Sequence, residues 1–277
     1  FGGIALATAL TYWEYREEKK KELHPPQKKT ITVHPYEMTG TILMWAGVWG
    51  FIGAKLFHNL EYWNVFIQNP VGELLSFSGL TFYGGLIFGA IAVLYKSAQY
   101  GIKWKLMADV SAPALMLAYA IGRMGCHLSG DGDWGIANTS PKPSWINFLP
   151  DWIWSFHYPN NVIQEGIPIS GCVGKFCYML PIPVYPTPFY ETVSCLIFFG
   201  LLWSIRKHIK HSGTLFFIYL TINGIERFFI EKIRVNSKYT ILDFQFTQAE
   251  LISSILVLIG LTGIYLSIQK KTILFRD

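Results

Sequence analysis

Charge is scarce in this sequence. Only 15% of its 277 residues are Asp, Glu, Lys or Arg, and 51% are hydrophobic; a soluble domain carries about 25% charged residues. Together with long apolar runs, that deficit excludes an ordinary water-soluble domain and indicates an integral membrane protein. The net charge of +5 is not a nucleic-acid footprint, because its placement follows membrane topology. Cysteine is scarce too. Four cysteines are too few for a disulfide scaffold, and no Cys-x-x-Cys pair or histidine-rich tract is present, so neither a metal nor a cofactor is expected. Cys172 and Cys177 lie in one loop. They either pair, if that loop faces an oxidising compartment, or stand as two free thiols. The chain begins at Phe1 with a short apolar stretch, so residues before it are expected to be missing and the question of a signal peptide stays open.

Apolar stretches of near-membrane length fall at about 1–14, 40–60, 79–97, 106–128, 189–206, 213–232 and 249–269. A helix needs roughly 20 residues to cross the hydrocarbon, so the expected fold is an all-α polytopic membrane protein of seven transmembrane helices. The polar, aromatic segment 60–78 reads as a connector with interfacial helix. Fifteen of the Lys and Arg residues fall on one side of this arrangement and five on the other, leaving Lys55, Arg123 and Arg227 inside spans. By the positive-inside rule the N-terminus is outside and the C-terminus cytoplasmic. The longest connection, about 129–188, is then extracytoplasmic. Its Trp134, Trp145, Trp152 and Trp154 and its many prolines suggest a small folded head at the interface, where Trp settles.

A guanidinium at membrane depth costs roughly 2.5–3.5 kcal/mol on insertion scales and marks a functional site by default. With this topology, Lys55, Arg123 and Arg227 sit in the outer halves of their spans, and Tyr83, Tyr190 and Glu191 sit near the outer starts of theirs. Six polar groups at one depth point to a site, and its fixed positive charges suit an anionic headgroup or phosphate. Gly84 and Gly85 follow Tyr83, and Gly122, Gly125 and Gly130 surround Arg123. Glycine there serves either close helix packing or unusual backbone geometry. The Gly-x-Gly spacing near Arg123 lacks a preceding strand, so a nucleotide loop is excluded. Glu226 and Glu231 flank Arg227. Glu231, four residues on along the same helical face, is expected to orient the guanidinium, and Arg234 continues the stripe toward the outer surface.

Several segments, in order, resemble the prolipoprotein diacylglyceryl transferase family of bacterial membrane enzymes. Gly53-Ala54-Lys55-Leu56-Phe57 is similar to its Gly-Ala/Gly-Arg stretch, and Tyr83-Gly84-Gly85-Leu86 to its His-Gly-Gly. Gly122-Arg123-Met124-Gly125-Cys126-His127-Leu128-Ser129-Gly130-Asp131 resembles the signature Gly-Arg-x-Gly-Asn-x-x-Asn-Gly-Glu. Tyr185-Pro186-Thr187-Pro188-Phe189-Tyr190-Glu191 resembles His-Pro-(Ser/Thr)-Gln-Leu-Tyr-Glu, and Arg227-Phe228-Phe229-Ile230-Glu231 resembles Arg-Phe-x-x-Glu. Phe1-Gly2 stands where the family has Tyr-Gly.

The resemblance implies transfer of diacylglyceryl from phosphatidylglycerol to the lipobox cysteine of a prolipoprotein, in the bacterial cytoplasmic membrane, at a site open to the outer leaflet. Under it Arg123 and Arg227 hold the phosphate and stabilise developing charge. Lys55, Gly84, Gly85, Gly122, Gly125, Ser129, Gly130, Tyr190, Glu231 and Arg234 complete the substrate site. The thiol must lose a proton. Here the sequence departs from the family: Tyr83 and Tyr185 replace histidines, Cys126 and Ser129 replace asparagines, and Asp131 replaces glutamate. Tyr83 keeps its place in the catalytic set, but tyrosine, with a pKa near 10, is a poor base. His127, Asp131 and Glu191 are the remaining candidates, although His127 also reads as an interfacial structural histidine. The competing expectation is a non-catalytic paralogue that binds anionic phospholipid or lipoprotein as a subunit of a membrane complex. A transporter is disfavoured, because no pair of broken spans marks inverted repeats.

Overall fold

The computed structural model describes residues 35–76, 79–235, 238–241 and 244–269, with the single positions 12 and 16. Phe1-Gly2 and, Tyr12 apart, the expected span 1–14 lie outside the described residues. The chain forms two compact units, Phe1–Ala92 and Val93–Asp277.

In the first unit a 3-10 turn, Pro35–Met38, leads into helix α1, Thr39–Glu61. The connector 60–78 carries two short helices, α2 (Trp63–Phe66) and α3 (Pro70–Leu75). The start of α3 is written in its sequence: the Asn69 side chain accepts from Gly72 N–H at 3.1 Å, and Pro70 takes the first helical turn, where a missing N–H costs nothing. Helix α4, Phe82–Gln99, follows. It crosses α1 with almost nothing between the backbones. A Cβ on Gly84 would strike the Gly53 carbonyl, and one on Gly53 the Gly84 carbonyl. The Phe57 and Phe88 rings pack edge to face beside this crossing, centroids 6.3 Å apart.

The second unit begins within α4, at Val93, and its first whole helix is α5, Trp104–Ser129, which stops at Gly130. Gly130 takes the left-handed conformation (φ 60°) and its N–H bonds the Cys126 carbonyl at 3.0 Å, the C-terminal stop that glycine allows. A long connection then leads to α6, Thr187–Ile205. It folds on a small core of Trp134, Tyr158, Leu180 and Val184. The Asn161 amide ties three of its carbonyls, those of Tyr158, Glu165 and Tyr178, at 3.0–3.2 Å. Cys172 and Cys177 are bonded to each other as a disulfide, which resolves the two readings of that pair.

Helix α7, Thr214–Glu231, begins where the Asp109 carboxylate of α5 accepts from the Gly213 and Phe216 N–H groups. Helix α8, Gln248–Gln269, starts with a reciprocal cap. Thr247 Oγ1 accepts from Glu250 N–H at 3.1 Å, and a Glu250 carboxylate oxygen accepts from Thr247 N–H at 3.0 Å. Gly224, Gly260 and Gly263 let α7 and α8 lie close, against Ser253, Thr221 and Phe217 respectively. The inner core of the unit joins Ala112, Met116 and Ala120 of α5 to Cys195 and Leu202 of α6 and Leu215 of α7.

The expectation of a wholly helical chain needs one amendment. Two antiparallel ribbons are present, β1 (Ile167–Pro168) with β2 (Tyr178–Met179) and β3 (Lys238–Ile241) with β4 (Phe244–Thr247). The first sits in the proline- and glycine-rich head sequence, where short pairings satisfy backbone groups that no helix takes up. Among the described residues, three helical segments are long and apolar enough to cross a membrane: Tyr36–Glu61, Thr187–Ile205 and Gln248–Gln269. Their outward positions are apolar, such as Leu43 and Met44 on α1 and Leu251, Ile255 and Leu258 on α8. The protein is a mostly helical membrane protein.

Candidate active site

Four charged side chains of the second unit meet at one oxygen or its neighbour. Glu191, in the first turns of α6, is fully buried. Its Oε2 lies 2.8 Å from Arg123 Nε and 3.5 Å from Arg227 Nη1, and its Oε1 lies 3.4 Å from Arg234 Nη1. Tyr119 donates its hydroxyl proton to Glu191 Oε2 at 2.6 Å and accepts from Arg123 Nε at 3.2 Å. The local sequence explains the pairing on α5: Tyr119 and Arg123 are one helical turn apart. Arg227 and Glu231 repeat that spacing on α7 and form an ion pair at 3.2 Å.

A second carboxylate, Asp133, closes the cluster from the start of the head. One of its oxygens pairs with Arg123 Nη1 and the other with Arg234 Nη2. Burial pushes the Asp133 carboxyl up, but the Arg234 and Arg123 guanidinium groups beside it outweigh burial and hold it below the usual carboxylate range. Its backbone is fixed separately. Thr187 Oγ1 donates to the Asp133 carbonyl at 2.9 Å, and Gly135 N–H donates to the Tyr185 carbonyl at 2.8 Å.

Three guanidinium charges thus face three paired carboxylates: Glu191, Glu231 and Asp133. A fourth, Glu226, is buried within electrostatic reach of Glu191, Arg227 and Arg123. Among the described residues neither of its oxygens has a hydrogen-bond partner. Arg123 Nη2 and Arg227 Nε likewise bond none of the described residues. Chemically, this is a desolvated guanidinium cluster with N–H donors to spare, at the mouth of which one carboxylate meets solvent. Such a cluster recognises a planar or tetrahedral oxyanion.

Of the expected site residues, Arg123, Arg227, Glu191, Glu231 and Arg234 come together. Arg234 lies past the turn at Lys232-Ile233 that follows α7, and it pairs in a β-bridge with Gly135. Tyr190 does not join: its hydroxyl donates to the Ile153 carbonyl at 2.7 Å. His127 is enclosed by the Trp152, Phe156, Tyr158 and Phe189 rings, and its Nδ1 lies 3.1 Å from the Tyr158 hydroxyl. Burial pushes the Tyr158 phenol up. Asp131 is exposed and accepts from Asp133 N–H at 3.3 Å, a local turn contact. Ser129 bonds back to the Cys126 carbonyl, and Gly130 ends α5. Gly122 and Gly125 are exposed, with nothing within 4 Å of where a Cβ would stand.

The first unit holds the remaining candidates. Lys55 is buried and donates to Ser76 Oγ at 2.8 Å, and Tyr83 is half exposed on the first turn of α4. Gly84 serves the α1–α4 crossing, and Gly85 lines an open apolar cleft with Gly50, Ala54 and Leu86. Tyr119 and Asp133 were not among the expected site residues. Tyr119 was signalled only by its one-turn spacing from Arg123, and Asp133 only by its place in the Gly-Asp-Gly-Asp turn.

The family model for prolipoprotein diacylglyceryl transferase matches residues 2–266 of the chain. The chain is 31% identical over 223 residues to the phosphatidylglycerol–prolipoprotein diacylglyceryl transferase of Staphylococcus aureus strain MRSA252, covering 80% of this chain and 70% of that protein. It is 30% identical over 220 residues to the protein of that name from Staphylococcus xylosus, covering 79% and 70%. This chain therefore belongs to the prolipoprotein diacylglyceryl transferase family.

Proposed function

We propose that the chain transfers diacylglyceryl from phosphatidylglycerol to the lipobox cysteine of a prolipoprotein, with the lipid phosphate held by the Arg123, Arg227 and Arg234 cluster. The observation that carries this reading is the convergence of three guanidinium groups on the buried Glu191, with donors left over on Arg123 and Arg227. In the step itself the cysteine sulfur bonds to the glyceryl carbon, the carbon–oxygen bond to phosphate breaks, and glycerol-1-phosphate leaves with the bonding electrons. The thiol proton passes to a base or to the departing phosphate. Preorganised guanidinium donors favour the leaving group because it gains negative charge as it departs.

The seven-span arrangement, with the N-terminus outside and the C-terminus cytoplasmic, belongs to the same proposal. Span 1 and the 129–188 head complete it. The lysine and arginine distribution supports it, as does the Cys172–Cys177 disulfide, a bond suited to a head outside the cytoplasm. The site then opens to the outer leaflet of the bacterial cytoplasmic membrane, where phosphatidylglycerol and the prolipoprotein signal-peptide region meet it.

A second reading draws on the candidate bases. Glu191 is committed to three guanidinium groups and His127 to an aromatic cage. Both observations favour a protein that binds anionic phospholipid or lipoprotein without turnover, as part of a membrane complex. One assay separates the two. Purified protein with labelled phosphatidylglycerol and a lipobox peptide should yield a labelled thioether, lost in Arg123→Ala. Retained phospholipid binding with no thioether would leave only the second reading.

A further inference from the structure

Arg123, Arg227 and Arg234 are paired with Glu191, Glu231 and Asp133, so a phosphate that takes up the N–H donors facing any one of these carboxylates displaces it. The three differ sharply in what displacement would cost. The Glu191 and Glu231 side chains are 0% exposed, whereas the Asp133 side chain is 34% exposed. A carboxylate released into a buried pocket loses its partners and gains no water, a large desolvation penalty. One released toward solvent is rehydrated. Asp133 is therefore the exchangeable member.

Its geometry agrees. Each Asp133 oxygen takes one N–H from a different arginine, Arg123 Nη1 on one side and Arg234 Nη2 on the other. Two oxygens of a phosphate bridging the same pair of guanidinium groups need that same place. The main chain at Asp133 is held by Thr187 Oγ1, and the adjoining strand by the Tyr185 carbonyl. Exchange then requires only rotation of the Asp133 side chain, not opening of the head.

We infer that Asp133 is a built-in counter-ion that occupies the phosphate position and is displaced by the headgroup of an anionic phospholipid. Asp133 thus sets the affinity of the site by competing with its ligand, and it returns to the arginines when the phosphate product departs. This inference rests on the reading of the cluster as the headgroup site.

The test measures phosphatidylglycerol binding in nanodiscs of otherwise zwitterionic lipid, for wild type, Asp133→Asn and Arg123→Ala. Asp133→Asn keeps the side chain's shape but removes its charge, and it should bind phosphatidylglycerol at least several-fold more tightly than wild type. Arg123→Ala should bind more weakly. Unchanged or weaker binding by Asp133→Asn would overturn the inference while leaving the headgroup reading intact. Equal binding by wild type and Arg123→Ala would overturn both. Wild-type protein labelled with carboxyl-13C aspartate gives an independent readout that needs no variant to fold. Adding phosphatidylglycerol should shift an aspartate carboxylate band in the infrared difference spectrum, and a spectrum without that shift would count against displacement.

Discussion

Arg123 Nε and Arg227 Nη1 reach the same oxygen of Glu191, at 2.8 and 3.5 Å, from two different helices. Glu191 thereby couples α5, α6 and α7 through one carboxylate. Removing it leaves three guanidinium groups in a desolvated pocket with one anion fewer than they need. Breaking a buried pair in this way costs about 3–5 kcal/mol. Glu191→Ala should therefore lower the thermal midpoint of the purified protein more than Glu231→Ala, whose carboxylate pairs with Arg227 alone among the three arginines.

Arg123→Ala should reduce thioether formation by at least about 100-fold, the scale seen when a donor that stabilises developing negative charge is removed. Arg123→Lys should recover little of this. Lysine keeps the charge but lacks the fork that reaches Glu191 and Asp133 at once. Wild-type rates in the lysine variant would show that charge alone suffices at this position.

Tyr119→Phe deletes a hydroxyl that donates to Glu191 and accepts from Arg123. The expected cost is about 1–2 kcal/mol in unfolding free energy, with a larger KM for phosphatidylglycerol as Arg123 loses its lateral support. A lipid titration of initial rates checks the second effect separately from the first.

The Asp133 carboxyl is held below its usual range by Arg234 and Arg123, which fixes the sign of its pH dependence. A group whose folded value is depressed stabilises the fold fully above its unfolded value, near 4, and that contribution drains away as pH falls through the folded value. Wild type should therefore lose more stability than Asp133→Asn as the pH is lowered below about 4. Parallel acid-unfolding curves for the two proteins would contradict this.

Glycines at two places should behave oppositely. Gly84→Ala drives a methyl group into the Gly53 carbonyl and should loosen the α1–α4 crossing. Gly122→Ala and Gly125→Ala meet nothing within 4 Å, so their thermal midpoints should stay near wild type. If either of these stable variants loses lipid binding, the open strip beside Arg123 is space that the substrate fills.

Much of this was legible in the sequence because charge in an apolar run is so costly. Arg123, Arg227, Glu191 and Glu231 stood out for that reason, and the described helices follow the apolar stretches to within a few residues. Tyr119 was not legible, because an aromatic residue in a span needs no explanation. Asp133 was hidden in a turn where acidic residues are ordinary. The partners of Arg234 were not legible either, because it lies beyond the end of α7 at Glu231, where helical spacing no longer says what a side chain meets. The aromatic enclosure of His127 was also out of reach, since its rings come from the folded head and α6 rather than from its own helix.

Gly135 and Arg234 are paired across a β-bridge, and Asp133 meets Arg234 across 101 residues of chain. Synthesis delivers Asp133 ten residues after Arg123, then Glu191 on α6, and only last Arg234, the second partner of Asp133. The charge set is therefore completed only when the segment after α7 is in place, so a chain ending before Arg234 leaves Asp133 and Glu191 each short of one guanidinium partner.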